Sequence, residues 1–497
     1  MKPIRLILST LALACAVAAA RPMIKPAGYQ VDTVLIPKGI TLGVGGMAFL
    51  DDTTLLICTR EGEVWKFNTA DGQWKLYADG LHESLGLWVD SKSKDVYVMQ
   101  RPELTKLVDT DKDGLVDLYQ TVNAGWGLTD NYNEYAFGPV RDSKGNFYGT
   151  LNTSLSWPGW AGSDKWDKAR VHDSKMGRAA KYRGWSFQVT PQGEFVPFSM
   201  GMRSPAGIAI NQADEIFYTD NQGDWNETSS LHHVVKGRFH GHPSSYFDHP
   251  KFSGKDLNKI PIEDYRKMRT RPAVFIPHGE LASSPGEPVF DYTGGKFGPF
   301  AGQIILGDQP RSNLMRIHLE KVGDEYQGMV VNFISPMQTG CIRGVFGPDG
   351  SFWVGQTGRG WGSVGGKQFG LERVRWDGSI TPMAIHHISL TKTGFDVHFT
   401  LPVDAEAAAN IANYDILEFE YQYRPQYGSP KSKQKKMKPT TVKLSKDRRI
   451  AHLSLPLIAE KIYQFNLNGN VRSYAGTEIV NRVAWYTANR LYKKNSK

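Results

Sequence analysis

The chain has 497 residues, of which 40% are hydrophobic and 22% are charged, and its formal net charge is +9. This composition is typical of a globular protein with a large core, and it excludes a disordered or fibrous chain. No zinc-finger spacing or helix-turn-helix pattern accompanies the positive charge, so we expect no nucleic acid partner. Part of the charge lies in KSKQKKMK at 431–438, which predicts a solvated loop.

The first residues have the pattern of a secretory signal peptide. Lys2 and Arg5 form a basic start, an apolar stretch follows, and three alanines at 18–20 provide a small-residue cleavage site. We therefore predict a signal peptide at 1–20, with export to the periplasm or the extracellular space. No later apolar run reaches about 18 residues, so we expect no transmembrane segment. We expect Cys58 and Cys341 to be buried and unpaired, with a disulfide as the alternative.

A glycine, an apolar strand, a polar turn and a second strand recur along the chain about six times. The repeats lie at 45–67, 85–109, 135–152, 206–225, 301–320 and 344–361. Repeats of this kind predict an all-β fold, a six-bladed β-propeller over 21–382. A two-sheet sandwich is the alternative, but it does not explain the repeated unit.

The character of the sequence changes after the repeats. Strand-like runs such as ISLTKTGFDVHFTLP and KIYQFNLNG predict a small β-sandwich, immunoglobulin-like or fibronectin-like, over 383–497. We expect a docking or spacer role for this C-terminal unit.

Polar side chains gather at both outer ends of one predicted hairpin, within 203–225. In a propeller such strand ends meet at the mouth of the central channel, where we expect these side chains to converge with those of other repeats. The expected set is Arg203, Asp220, Gln222, Asp224, Asp308, Arg343, Gln356 and Arg359. Carboxylates and guanidinium groups at one mouth suit a sugar or an anionic cofactor. The alternative is that Arg–Asp pairs merely tie neighbouring blades together.

The segment DTDKDGLVD at 109–117 has the spacing of a calcium loop. Asp109, Asp111 and Asp113 alternate, a glycine allows a sharp turn, and the Leu115 carbonyl and Asp117 follow. We predict a structural calcium site here, with an exposed acidic turn as the alternative.

An aromatic insert at 154–185 shows little strand pattern. Its tryptophans are Trp157, Trp160, Trp166 and Trp185. Indole rings stack on sugars, so the insert predicts a saccharide-binding wall, with packing onto the propeller as the alternative.

Two histidine pairs lie at 231–243, namely His232 with His233 and His240 with His242. No third ligand is spaced nearby, which argues against a metal site. His240 is instead a candidate general base.

Motifs around the hairpin resemble those of the soluble quinoprotein glucose/sorbosone dehydrogenase superfamily. The matching positions are Arg203, Pro205, Gly207, Gln222, Gly223, Gly237, Gly241 and Pro243. The segment 346–376 is similar to a subgroup of secreted bacterial propellers that are often fused to haem-binding modules. This chain has no Cys-x-x-Cys-His, so no covalent haem is expected.

The resemblance implies binding of pyrroloquinoline quinone (PQQ) and calcium, with Arg203 and Arg343 holding cofactor carboxylates. Gln222, Gln356 and Arg359 complete the predicted cofactor site. In the family a catalytic His precedes a strand that corresponds to 128–148 here, and this segment offers Asn133 and Glu134 instead. An amide is not a general base near neutral pH, so Glu134 or His240 is the predicted base.

Three functional hypotheses follow. The first is a quinoprotein-like dehydrogenase that binds or oxidises a carbohydrate at the channel mouth and passes electrons to a redox partner protein. The second is a non-catalytic propeller that binds a glycan or a protein. The third is a polysaccharide hydrolase or lyase that uses Asp220 and Asp224 with the arginines.

Overall fold

The computed structural model describes residues 22–155, 170–358 and 362–492, and β-strands dominate all three ranges. Within them the α-helices are α1 (Ile262–Met268) and α2 (Ala405–Ala409), seven and five residues long. Glycine, proline and asparagine interrupt the apolar runs, so no long helical period develops. The all-β prediction is confirmed. The predicted signal peptide, Trp157, Trp160, Trp166 and Arg359 lie outside the described residues.

The described part of the chain opens with β1 (Tyr29–Thr33) and forms six successive antiparallel units of four strands, numbered here as the first to the sixth sheet. Five of them are separate four-stranded sheets, and the fifth is part of a larger eight-stranded sheet. The first sheet contains β2 (Val44–Phe49), β3 (Thr54–Thr59), β4 (Val64–Asn68) and β5 (Trp74–Ala78). The second contains β6 (Leu87–Val89), β7 (Val96–Met99), β8 (Leu104–Val108) and β9 (Leu118–Asn123). The third contains β10 (Ala136–Arg141), β11 (Phe147–Leu151), β14 (Trp185–Val189) and β15 (Phe195–Met200). Between β11 and β14 the chain forms a separate two-stranded ribbon of β12 (Ser154–Leu155) and β13 (Met176–Gly177).

The remaining three sheets follow the same order. The fourth contains β16 (Pro205–Ile210), β17 (Ile216–Asp220), β18 (Ser229–Val234) and β19 (Val274–Ile276). The fifth contains β20 (Pro285–Phe290), β21 (Ile304–Asp308), β22 (Asn313–Val322) and β23 (Glu325–Ile334). The sixth contains β24 (Cys341–Phe346), β25 (Phe352–Thr357), β26 (Phe369–Trp376) and the early strand β1.

The first strands of the six sheets contact one another in a closed ring. Strand β2 contacts β6, the contacts continue through β10, β16, β20 and β24, and β24 contacts β2 again. Glycines allow the inner strands to approach this closely. A Cβ on Gly86 would lie 1.4 Å from the carbonyl oxygen of Gly138, and one on Gly207 would lie 2.3 Å from Cα of Glu287. The glycine that recurs in the sequence therefore marks the strand nearest the ring axis.

The C-terminal unit continues the fifth sheet instead of hanging from a linker. Its strands are β27 (Ile385–Leu390), β28 (Gly394–Phe399), β29 (Tyr414–Glu420), β30 (Ser432–Met437), β31 (Thr441–Leu444), β32 (Ile450–Ser454), β33 (Lys461–Leu467) and β34 (Val483–Ala488). Strand β34 pairs with β23, which gives one eight-stranded sheet ending in β29 and β30. The other sheet, in the order β27-β28-β32-β31, packs on it over a shared hydrophobic core.

The prediction of a solvated loop at 431–438 is wrong, because this segment forms strand β30. The strand pairs with β29, with Lys436 opposite Leu417 and Ser432 opposite Glu420. Backbone pairing along an open sheet edge overrides the charge of the lysine side chains, which remain exposed.

Cys58 and Cys341 are buried and free, which confirms the preferred prediction for these two cysteines. Helices that combine enough length and apolar character to cross a bilayer are absent from the described residues.

Candidate functional site

The polar residues at the outer ends of the β16–β17 hairpin form hydrogen bonds with one another. The buried carboxylate of Asp220 accepts hydrogen bonds from the backbone nitrogens of Arg203 and Ser204, both at 2.8 Å. Asp308 does the same in the next sheet, where the nitrogens of Ser283 and Ser284 lie 2.7 and 2.6 Å from one carboxylate oxygen. Burial raises the pKa of each carboxyl to about 6, against the effect of these hydrogen bonds. These two aspartates therefore satisfy backbone groups where a hairpin begins.

Asp224 anchors the Arg203 side chain. Its carboxylate is fully buried and lies 2.9 Å from Nε of Arg203 and 3.2 Å from Nε2 of His242. Burial works to raise the pKa of Asp224, but these two neighbours outweigh it and hold the pKa well below its usual range. A Cβ on Gly223 would lie 1.8 Å from Nε of Arg203, so only glycine fits beside this guanidinium. The arrangement fixes the direction in which Arg203 points.

Beyond this anchor lies a cavity of about 340 Å³, which we call the rim cavity. Its polar and aromatic lining includes Tyr132, Asn133, Arg203, Asn221, Gln222, His278 and Tyr427. It adjoins a narrower space of about 120 Å³, the inner cavity, which reaches Asn152 and Arg343. Both spaces are lined by Tyr132, Asn133, Ser204, Asn221 and Ser284, so they are immediate neighbours, and together we call them the recess.

The structure brings only part of the predicted mouth set to this recess. Arg203 and Gln222 line the rim cavity, and Arg343 lines the inner cavity. Arg343 donates to the carbonyl oxygens of Ala206 and Ile342 at 2.7 and 2.8 Å, and burial lowers its pKa. Its guanidinium thus ties separate inner strands together.

The other predicted catalytic and cofactor residues lie behind the cavity wall. Glu134 is fully buried and accepts hydrogen bonds from the Thr129 nitrogen and the Ser154 hydroxyl, both at 2.6 Å. Gln356 is buried and donates to Glu372 at 2.6 Å. Asp220, Asp224 and Asp308 are occupied by the contacts described above.

His240 is also removed from the cavity. Its ring packs edge-on against Tyr218 and His232, with centroids 5.4 Å away in both cases. Neither of its ring nitrogens has a hydrogen-bond partner within the described residues. Burial lowers the pKa of His240 to about 3. An imidazole in this setting is part of the core.

The acidic loop at 109–117 gathers three carboxylates. Oxygens of Asp109, Asp111 and Asp113 lie within 4.8 Å of one another, and Oδ1 of Asp109 has no hydrogen-bond partner within the described residues. Asp117 turns away to Thr110, whose backbone nitrogen lies 2.8 Å from its carboxylate. The backbone nitrogen of Leu115 donates to Asp113 at 2.8 Å. The three alternating aspartates thus converge, whereas Asp117 does not join them.

His278 and Tyr427 are among the rim-cavity residues that the sequence analysis missed. His278 lies in the loop between β19 and β20, and burial lowers the pKa of its imidazole. Tyr427 lies in the loop between β29 and β30, and its ring faces the Arg203 guanidinium at 5.4 Å. No motif marks either residue. His278 lies in the loop that follows the last strand of the fourth sheet, and this position in the repeat is the only sequence signal that could have placed it near the cavity. No sequence signal places Tyr427 there.

The loop that carries Tyr427 is bound to the fourth sheet by its backbone. Gly428 donates to the carbonyl of Gly223 at 2.9 Å, and Ser429 donates to that of Glu227 at 2.8 Å. Through Tyr427 the C-terminal unit therefore contributes part of the cavity wall.

Trp185 of the aromatic insert is buried and donates a hydrogen bond to the Ser245 carbonyl at 2.9 Å, as expected if this tryptophan packs onto the propeller.

No family model matches the chain, and no curated protein matches it. Solved structures do match it. An oxidoreductase described as a glucose dehydrogenase, from Thermus thermophilus, aligns with a TM-score of 0.50 at 20% identity, covering 70% of this chain and 100% of its own. The chain has the fold of the glucose dehydrogenase β-propellers. This confirms, for the fold, the resemblance drawn from the hairpin motifs.

Two further dehydrogenase structures align with lower TM-scores. The PQQ-bound aldose sugar dehydrogenase of Streptomyces coelicolor gives a TM-score of 0.48 at 17% identity, over 71% of this chain and 100% of its own. The holo PQQ domain of a pyranose dehydrogenase from Coprinopsis cinerea gives a TM-score of 0.49 at 12% identity, over 71% of this chain and 97% of its own. Because 70% of this chain covers the whole Thermus dehydrogenase, the rest has no counterpart in that structure.

Proposed function

We propose that the protein is an exported six-bladed β-propeller with a C-terminal β-sandwich, and that its rim cavity binds a carbohydrate and oxidises it with a bound quinone. The six four-stranded units would be the blades, and the ring of inner strands would surround the channel. The fold shared with a glucose dehydrogenase supports this proposal, and the chemistry of the cavity lining carries it.

The observation that carries the proposal is the set of uncommitted polar groups beside the recess. Asp224 uses Nε of Arg203, and no hydrogen bond within the described residues uses its two Nη groups. Oδ1 of Asn152 and Oδ1 of Asn221 are also buried, and neither has a hydrogen-bond partner within the described residues. Buried polar groups require partners, and the hydroxyls of a sugar both donate and accept hydrogen bonds. Tyr132 and Tyr427, 44% and 46% exposed, offer ring faces to a sugar.

The lining also fits a carboxylated quinone. The Nη groups of Arg203 would hold one carboxylate, since a guanidinium binds carboxylates through paired hydrogen bonds. Gln222 lies beside it on the cavity wall. When bound, PQQ would supply the acceptor for a hydride. Arg343 and Gln356, which are occupied by carbonyl groups and by Glu372, would have structural roles.

His278 is the proposed general base. It lines the rim cavity, and its lowered pKa keeps the imidazole unprotonated at neutral pH, so that it is able to accept the proton of a sugar hydroxyl. Its backbone nitrogen donates to Thr228 Oγ1 at 2.8 Å, which holds the residue in place. This role replaces those predicted for Glu134 and His240.

The test is sugar-driven reduction of a redox dye by the PQQ-loaded protein, over a panel of aldoses. We expect His278→Gln to lower the rate by about a hundredfold or more while PQQ still binds. His452→Gln, an exposed histidine of the C-terminal unit, is the matched control and should keep the wild-type rate. Equal rates in the wild type and His278→Gln would rule out this base.

A non-catalytic glycan-binding propeller is the second candidate. One observation favours it, namely that neither cavity has an aspartate or glutamate among its described lining residues. The same observation disfavours a hydrolase or lyase, because Asp220 and Asp224 lie behind the wall. Sugar binding without dye reduction would select the non-catalytic propeller.

We also propose that Asp109, Asp111 and Asp113 hold a calcium ion, since carboxylate oxygens are the ligands that Ca²⁺ prefers. Its role would be to stiffen the turn between β8 and β9. A redox partner protein would take the electrons from the reduced cofactor.

A further inference from the structure

Residues 431–449 have a net charge almost equal to that of the whole chain, and we call them the basic edge. They contain seven lysines, two arginines and one aspartate, a formal charge of +8 against +9 for all 497 residues. The other residues of the chain together have a formal net charge of only +1, which is +9 less +8.

The basic edge runs along two open strand edges. Strand β30 is the last strand of the eight-stranded sheet, and β31 is the last strand of the sheet that packs on it. The two follow each other in the chain with only three residues between them, so both open edges lie on one side of the C-terminal unit. Side chains 433–436 are all exposed.

Part of this charge is not neutralised by the protein itself. Lys433 and Lys438 pair with Glu420 and Asp415 at 2.7 and 2.9 Å. By contrast, four lysines form no ion pair within the described residues, namely Lys435, Lys436, Lys443 and Lys446. Unpaired cations along an extended edge attract a linear polyanion.

The make-up of the edge narrows the class of polyanion. Residues 431–449 include no aromatic side chain, which leaves nothing for nucleic acid bases to stack on. None of the large exposed hydrophobic side chains of the described chain lies in this range, so no apolar group is available for insertion into a bilayer. Recognition must therefore depend on charge and on an extended shape.

The edge begins beside the rim cavity. Lys431 Nζ lies 2.6 Å from Glu280, in the same loop as His278, and Lys431 follows the cavity residue Tyr427 by four positions. A chain that lies along β30 would therefore lead to the cavity.

We propose that the basic edge binds an acidic polysaccharide and directs it toward the rim cavity. The choice of a polysaccharide among polyanions rests on the proposed function, whereas the binding of a polyanion does not. Each exposed lysine would contribute one contact to a carboxylate or sulfate group, so binding should weaken steeply as salt is added.

The test measures binding of a polyuronate of defined length to the full mature protein by calorimetry, at low and at high salt. We expect the quadruple variant Lys435→Gln, Lys436→Gln, Lys443→Gln, Lys446→Gln to bind roughly tenfold or more weakly and with less salt dependence. The matched control carries Lys38→Gln, Lys92→Gln, Lys144→Gln and Lys236→Gln, four exposed lysines elsewhere, and should bind as the wild type does.

Equal loss in both variants, or no binding of polyuronate to the folded wild type, would overturn the inference. Tighter binding of duplex DNA or of phosphatidylglycerol vesicles through the same four lysines would overturn the choice of partner. Binding of polyuronate by a protein that binds no PQQ would support the inference and contradict the proposed quinone chemistry.

Discussion

Asp220 and Asp308 explain why polar residues collect at the outer ends of a hairpin. Each is the last residue of the second strand of its hairpin and accepts hydrogen bonds from the backbone N–H groups that precede the first strand. Those groups would otherwise be buried without partners, which costs about 1–3 kcal/mol each. A carboxylate in this position looks catalytic in the sequence, and only the hydrogen bonds show that it is structural.

His240 gives a prediction at the residue scale. Its pKa is lowered from 6.5 to about 3, so below pH 6.5 the unfolded chain takes up a proton that the folded protein does not. Stability should therefore fall as the pH drops, and His240→Phe should remove this contribution. We expect the stability of His240→Phe relative to wild type to rise by about 2 kcal/mol between about pH 7.5 and about pH 5.

Urea unfolding at the two pH values measures this difference. His82→Phe, at an exposed position outside the ion pairs of the described residues, is the control. A difference that stays constant with pH would mean that His240 is not buried as a neutral imidazole.

At the scale of elements, the loop between β29 and β30 shows that the C-terminal unit is more than a spacer. Strand pairing of β34 with β23 fixes that unit beside the fifth sheet, and the loop then reaches the cavity. Sequence alone predicted strands in this unit because their apolar alternation is local. It did not predict the loop contact, because no local pattern encodes which distant surface a loop touches.

Tyr427→Ala should weaken binding of PQQ or sugar at the rim cavity about fivefold, since an aromatic face against a ligand contributes about 1 kcal/mol. The melting temperature should change little, because the ring is 46% exposed. Tyr474→Ala, which is 69% exposed, is the control. Unchanged binding in Tyr427→Ala, measured by calorimetry, would remove the C-terminal unit from the site.

The predicted repeats locate the hairpins well, except in the fifth sheet, where the first strand was missed. The repeat at 301–320 begins at β21, so the inner strand β20 was missed. Its sequence, PGEPVF, contains two prolines, which are unfavourable in the middle of a strand and so argue against one in the sequence. The structure accommodates them because the pairing shifts register between Pro285 and Pro288. Close packing around the ring axis, not propensity, determines this strand.

At the scale of the whole molecule, the closed ring of inner strands is the main structural constraint. Gly207→Ala would place a Cβ 2.3 Å from the backbone of Glu287 and force neighbouring sheets apart. We expect a loss of about 1–3 kcal/mol in the free energy of unfolding. Gly362→Ala, which would meet nothing within 4 Å, should be nearly neutral. Equal stability of the two variants in urea unfolding would contradict the ring.

Titration with PQQ in calcium, followed by absorbance, tests most directly whether the rim cavity is the ligand site. Ser283→Trp places a large side chain in the cavity wall, and Ser91→Trp does so at an exposed turn elsewhere. We predict saturable binding to the wild type and to Ser91→Trp, and its loss in Ser283→Trp. No binding to the folded wild type, or undiminished binding to Ser283→Trp, would contradict the account.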